Sequence, residues 1–496
     1  MRHKIFTEIA LAAISLIAAL PVQATSNPIC PAQLQQEVEK IVRSPKLNPS
    51  RIGVFVQTTE KNPQVLSNID GDRYFVPASN IKLFTTAIAL KVLGADYQFT
   101  TRLVSQTLPN AQGELENGLW ILASGDPSFK SSIGLKSLVS QLKSQGVKKI
   151  NRGIWASSSL KGTEIVGSWE WEDLQHYYGA IASPFTIDDN ILEWKLRPAS
   201  KGEPAIFEWT KPKYATTWRV DNQVVTASAD DQAASKSLTN EVVDNRAYPD
   251  KVLVIRGQIA ENAKPIVREV TVPNPKEHFL RLLRQELIAQ GIEIKEFDAS
   301  SQNTFDELAP HKNLASQSSL PLSDLLVTTN KDSNNLYAEL MVRAIGNQFK
   351  ETESEDSFAS GLERIRKYLQ SVNIAADDVL SADGSGLSRQ NLTTPRAISK
   401  ILHHMTNDRN FRNSLAIAGM SGTLANRFKN SEAIGLLQAK TGTMTGTTAL
   451  SGYATPPNYP EVVFSILINN SNLLNKDLQQ YADAIALLLT RLTKCP

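Results

Sequence analysis

Little in this chain is extreme, and several absences are informative. It has no internal repeat and no low-complexity tract, and 41% of its 496 residues are apolar against 21% charged. Those proportions set aside the disordered and fibrous classes. The formal net charge is only +2, so nothing in the charge balance calls for nucleic acid as a partner. Beyond residue 22 no run is long and apolar enough to cross a bilayer. The six histidines include no H-x-x-x-H pair, which leaves no recognisable metal site. Cysteine is reduced to Cys30 and Cys495, one near each end.

What is present begins with a leader. Arg2 and Lys4 precede an apolar run from Ile9 to Val22, and Val22-Gln23-Ala24 has the small-residue form of a cleavage site. Residues 1–24 therefore read as a signal peptide, with an uncleaved anchor as the alternative. The mature chain would be exported, to the periplasm or another extracytoplasmic space. There the lone cysteine pair reads as a disulfide closing nearly the whole chain, or else as two buried free thiols.

The remaining length calls for two or three domains. Helical spacing runs from Pro31 to Ser44, then strand-like RIGVFVQT from Arg51 to Thr58, then a second short strand near Asp72–Val76. IKLFTTAIALKVL, apolar nearly all round and stopped by Gly94, predicts a helix buried in the middle of a domain. Between about 100 and 315 short strand-like runs alternate with turns, and Ala227 to Asn240 reads as a polar loop. After Leu320 helices return, followed by strands at Gly435–Thr441, Thr447–Tyr453 and Val462–Asn469 and a last helix near Leu474–Leu492. Short turns between those three strands predict an antiparallel sheet. If the first and last helices pack on it, Cys30 can reach Cys495.

Three short motifs could carry chemistry. Ser79-Asn80-Ile81-Lys82 places a hydroxyl and an amine on one helical face. Serine needs a base to attack, and a lysine serves only when neutral, which burial and a second cation would favour. The helix start also aims unpaired N–H groups at a developing oxyanion. About two S-x-x-K spacings are expected by chance in a chain this long. The plain alternative is Ser79 as an N-cap with Lys82 in solvent. Ser333-Asn334-Asn335 offers a hydroxyl to relay a proton and an amide to orient a substrate, or simply a second N-cap. Lys440-Thr441-Gly442 suits an edge strand: glycine admits a substrate backbone, Lys440 and Thr441 bind a carboxylate, and Thr443 supplies an oxyanion N–H. It could also be an ordinary strand ending in a turn.

The ordered set S-x-x-K, S-x-N, K-T-G is the signature of serine β-lactamases and penicillin-binding proteins. Roughly 250 residues separate Ser79 from Ser333, too many for a compact β-lactamase. Runs beyond the motifs also match: SGDPSF from Ser124, WEWEDL from Trp169, YYGA and TIDDN between Tyr177 and Asn190, DGSGLSRQNLTTP from Asp383 and SGTLANRF from Ser421. On these the chain resembles the penicillin-binding protein 4-type D-alanyl-D-alanine carboxypeptidases, of low-molecular-mass class C. The resemblance implies an α+β fold, with a penicillin-binding, β-lactamase-like catalytic domain in two segments (25–100 and 318–496) around one or two β-rich inserted domains (101–317).

It also implies a serine carboxypeptidase/endopeptidase acting on peptidoglycan stem peptides and blocked covalently by β-lactam antibiotics, with no metal and no other cofactor. Ser79 would be the nucleophile and Lys82 the base. Ser333 and Asn335 would relay and orient, and Lys440 would hold the substrate carboxylate. Asp383–Gly386 reads as a tight turn, with a place lining the cleft as the alternative, and Trp169, Trp171, Tyr177 and Tyr178 read as core of the inserted domain rather than a sugar-stacking surface. Two rivals stand beside this reading. A serine β-lactamase of class A would need an additional water-activating Glu, and no pattern between the motifs singles one out. A catalytically inactive wall-binding protein sits poorly with an intact set of site residues.

Overall fold

The computed structural model describes residues 27–231, 238–244, 251–295, 310–349 and 355–495. The leader and part of the polar loop at 227–240 lie outside them. No helix among the described residues is long and apolar enough to cross a membrane.

Sheet and helices segregate as an α+β fold requires. A six-stranded sheet runs in the order Ala416–Ile417, Leu437–Met444, Thr447–Ala454, Val462–Asn469, Arg51–Thr58, Val65–Ile69, every pair antiparallel. Its central strands are buried on both faces, and alternate residues feed two cores. Val463, Leu467, Ala449 and Tyr453 pack with the helices Ile81–Leu93, Leu322–Lys331, Asn335–Phe349 and Pro395–His404. Val462, Phe464, Ile466 and Leu450 turn the other way, toward Pro31–Val42 and Asn475–Thr490. The Ile81–Leu93 helix has its first ten residues buried, as its unbroken apolar sequence predicts.

The Val65–Ile69 strand differs from the expected position near Asp72–Val76. Residues 72–76 form only one isolated bridge, from Phe75 to Thr393. Phe75 is spent as a plug beneath the neighbouring strand: a β-carbon at Gly53 would lie 2.5 Å from its ring. The helix Leu322–Lys331 opens the helical stretch expected after Leu320.

Between the two segments, one unit packs a four-stranded sheet against the helices Lys136–Ser144 and Pro275–Ala289. A second unit wraps two three-stranded sheets around the fully buried Trp194. The insertion thus carries helices beside its several sheets.

The termini meet. Ile29 N–H donates to Arg491 O at 2.9 Å, Thr493 N–H donates to Ile29 O at 3.1 Å, and a disulfide joins Cys30 to Cys495. Cross-linking ends so far apart in sequence restricts the unfolded chain by about 6 kcal/mol on the chain-entropy account. Cys30→Ser is expected to lower the melting temperature by about 5 °C and leave penicillin acylation unchanged. Thermal denaturation of the variant beside the parent checks this, and coincident melting curves would show that terminal packing alone suffices.

Candidate active site

Ser79 is delivered by a constrained approach. Asn469, at the end of its strand, bonds both sides of Val76: Val76 N–H donates to Asn469 Oδ1 at 2.7 Å, and Asn469 Nδ2 donates to Val76 O at 3.0 Å. Ala78 then takes a left-handed conformation (φ 47°), costly for a residue with a β-carbon. The short turn Ala78–Asn80 runs directly into the Ile81–Leu93 helix. Asn80 is fully buried and donates to Ser451 Oγ at 2.9 Å, pinning the helix start to the sheet. Ser79, the half-buried residue of this turn, opens onto a cleft of about 760 Å³.

Ser79 does not cap the helix; its hydroxyl faces Lys82. The Lys82 side chain has no solvent exposure, and its Nζ reaches three acceptors: Ser79 Oγ at 3.0 Å, Asn335 Oδ1 at 2.6 Å and Ser385 O at 2.6 Å. Burial pulls the ammonium down to about 7, although the Asp383 and Glu339 carboxylates oppose the shift. A neutral amine here keeps two N–H bonds for Asn335 and Ser385, and its lone pair is left facing the serine.

Ser333 sits just before the Asn335–Phe349 helix with φ 61°. It is not the helix cap either: the Asn334 side chain accepts from Tyr337 N–H at 3.2 Å. The Ser333 hydroxyl is free to accept from Lys440 Nζ at 2.7 Å, and Asn335 donates its Nδ2 to Tyr178 O at 2.8 Å. Lys440 is as buried as Lys82, and burial followed by the Lys82 charge holds it well below the ordinary lysine range. Thr441 Oγ1 bonds Thr423 of the SGTLANRF run at 2.8 Å. Gly442 is where the strand passes closest to the serine turn: a β-carbon would lie 2.9 Å from Pro77 O. Thr443 is exposed and lines the cleft. All the motif residues therefore converge on one cleft.

Other parts of the sequence reading need correction. Trp169 lies in the core of the catalytic domain and donates its indole N–H to Asp383 at 2.9 Å. Trp171 is 78% exposed, and Tyr177 and Tyr178 line the cleft, so none of the four is core of the insertion. The insertion does supply part of the cleft lining, through Lys130, Asp189 and Glu269, and Lys130 is ion-paired to Asp189. The turn Asp383–Gly386 is a turn, but also a wall: Gly386 lines the cleft and Ser385 O holds Lys82. Sequence reasoning missed Glu339, fully buried one helical turn beyond Asn335. A charged pair at i and i+4, Glu339 and Arg343, inside an otherwise apolar helix was the signal available.

A β-lactamase-like fold with an inserted region and a serine–lysine centre defines a penicillin-binding class of serine hydrolase. The profile of the D-Ala-D-Ala carboxypeptidase 3 (S13) family matches residues 34–492, and the chain belongs to that family. Its activity class is that of a serine-type D-Ala-D-Ala carboxypeptidase. A D-alanyl-D-alanine carboxypeptidase of Actinomadura sp. (strain R39) is 31% identical over 477 residues, spanning 93% of this chain and 85% of that protein. The D-alanyl-D-alanine carboxypeptidase DacB of Haemophilus influenzae is 29% identical over 432 residues, 85% of each chain. The crystal structure of penicillin binding protein 4 (dacB) from Haemophilus influenzae superposes with a TM-score of 0.80 at 26% identity, covering 92% of this chain and 99% of the other.

Proposed function

We propose that this chain is an exported D-alanyl-D-alanine carboxypeptidase/endopeptidase that cleaves peptidoglycan stem peptides through an acyl-enzyme on Ser79. The observation that carries the reading is the buried Lys82 amine, held by Asn335 and Ser385 and facing Ser79 Oγ at 3.0 Å. Ser79 attacks the carbonyl of the penultimate D-alanine while Lys82 takes its proton. The oxyanion forms against the backbone N–H groups of Ser79 and Thr443. The C–N bond then breaks as Ser333, in contact with Lys440, relays to the departing amine the proton that Lys82 took, which leaves Lys82 neutral again. Water hydrolyses the ester and frees Ser79. Lys440 and Thr441 receive the terminal carboxylate of the substrate. A D-configured cross-link presents the same carbonyl, which gives the endopeptidase reaction. A β-lactam acylates the same serine, in keeping with a complex of the Haemophilus influenzae penicillin binding protein 4 with a β-lactam.

Activity outside the cytoplasm, in the periplasm or its equivalent, is supported by the leader pattern and by the Cys30–Cys495 disulfide, a bond that persists in oxidising compartments. Labelling with a fluorescent penicillin tests the reading. The parent is expected to carry a long-lived adduct that Ser79→Ala lacks. Rapid loss of label would instead mark a β-lactamase, and an unlabelled but folded parent would remove the nucleophile assignment.

A further inference from the structure

We propose that Glu339 is a positioning residue for acylation: it fixes the Asp383–Gly386 turn so that the Ser385 carbonyl, together with Asn335, aims the Lys82 amine at Ser79. The proposal rests on the reading of Lys82 as base.

The carboxylate is divided between two tasks. Glu339 Oε1 accepts from Gly384 N–H and from Ser385 N–H, each at 2.9 Å, while Oε2 accepts from Arg343 at 3.2 Å. One oxygen of the buried pair faces Arg343, and the other is given wholly to two consecutive amides of a turn. The turn is gripped elsewhere as well. Thr85, on the same helix as Lys82, donates to Gly384 O at 2.7 Å. Asp383 accepts from Gly386 N–H at 2.7 Å and from Ser388 N–H at 2.6 Å. Gly384 lies so flat on the Asn335–Phe349 helix that a β-carbon would overlap the Val342 side chain. With the amides of 384, 385 and 386 and the 384 carbonyl all committed, Ser385 O is left directed at Lys82 Nζ, 2.6 Å away.

An sp³ amine has its third direction fixed once two partners are fixed. Asn335 Oδ1 and Ser385 O are those partners, and both are set from the Asn335–Phe349 helix: one by the side chain of its first residue, the other through Glu339. A displacement of about 1 Å at a reacting group can cost about 100-fold in rate. The site tolerates little slack here.

Glu339 also sits in the field that sets the lysine's charge. The ionisable groups facing Lys82 are Glu339 on that helix, Asp383 in the turn and Lys440 on the Leu437–Met444 strand. Those facing Glu339 are Arg343, Asp383 and Lys82. Burial and the Asp383 charge push Glu339 itself up to about 7, so it titrates alongside Lys82; in its ionised form it supports the ammonium, and without that charge the free amine persists to lower pH.

The test compares two double variants that differ only in the accepting oxygen, Glu339→Gln with Arg343→Met and Glu339→Leu with Arg343→Met. Stopped-flow penicillin acylation separates the amplitude, which counts folded enzyme, from the rate constant, which reads the site. The Gln variant is expected within about 3-fold of the parental rate constant. The Leu variant is expected about 10- to 100-fold slower, with non-covalent penicillin affinity within about 2-fold. A Leu variant that acylates at the parental rate constant overturns the proposal. If the double variants do not fold, Glu339→Gln alone decides by its pH profile. Its acid limb is expected to move to lower pH by about 0.5 or more, and an unmoved limb overturns the proposal. Lys82→Met is measured alongside. If it acylates like the parent, the reading of Lys82 fails. If it is inactive while the Leu variant is unaffected, only the role of Glu339 falls.

Discussion

Lys82→Met is expected to slow acylation by penicillin about 1,000-fold while leaving a folded protein. The loss is the scale of a general base removed from beside the serine it deprotonates. Met fills a similar volume, and it leaves Asn335 Oδ1 and Ser385 O without the lysine donor at about 1–3 kcal/mol each, a cost a protein of this size carries while folded. Lys82→Arg is expected to fail equally, because a guanidinium does not give up its proton. The pH dependence follows from the same burial. With the ammonium pulled down to about 7, the reactive amine is scarce below that pH and predominates above it. Acylation by the parent should therefore climb through neutrality and level off on the alkaline side. Rapid-mixing acylation across pH 5–9, with circular dichroism of each variant, provides the check. A Lys82→Met rate within 10-fold of the parent would exclude the lysine as base.

Gly386→Ala is expected to cost about 100-fold in acylation and about 1–3 kcal/mol in stability. Gly386 is left-handed (φ 85°), and a β-carbon there would overlap the carbonyl oxygen of Ala78, the residue before the nucleophile. Ala78 is itself left-handed, so neither backbone can retreat without moving Ser79. Gly94 serves as the control. It is also left-handed (φ 90°), yet a β-carbon there meets nothing within 4 Å, so Gly94→Ala should carry conformational strain alone. If the two variants lose stability equally and both acylate normally, close approach at Gly386 is not what shapes the serine turn.

The legible part of this site was the part written in side chains at fixed spacing. Ser79 with Lys82, Ser333 with Asn335, and Lys440 to Thr443 are local patterns, each on an element whose periodicity is plain. What escaped was carried by backbone or by burial. Ser385 contributes through its carbonyl, which no residue identity announces. The choice between cap and reactive hydroxyl at Ser333 turned on a single dihedral angle and on Asn334 taking the capping bond instead. Trp169 and Tyr177 fall within one short stretch of chain but divide between core and cleft, because irregular 3₁₀ turns there break any period that could sort them. The Val65–Ile69 strand was hidden by its polar surroundings, while Phe75 mimicked a strand residue.

The strand order has a consequence for timing. Arg51–Thr58 lies between Val65–Ile69 and Val462–Asn469, and the Lys440 strand is reached only through Thr447–Ala454. The two inserted units have cores of their own and can form while synthesis continues. The catalytic sheet cannot, because its early strands wait for a partner that follows both inserted units in sequence. Asn469, which clamps Val76 just ahead of the serine turn, is the last residue of that partner. A nascent chain thus carries its serine and lysine through the synthesis of both inserted units without a competent site, and becomes a hydrolase only once Val462–Asn469 has been added.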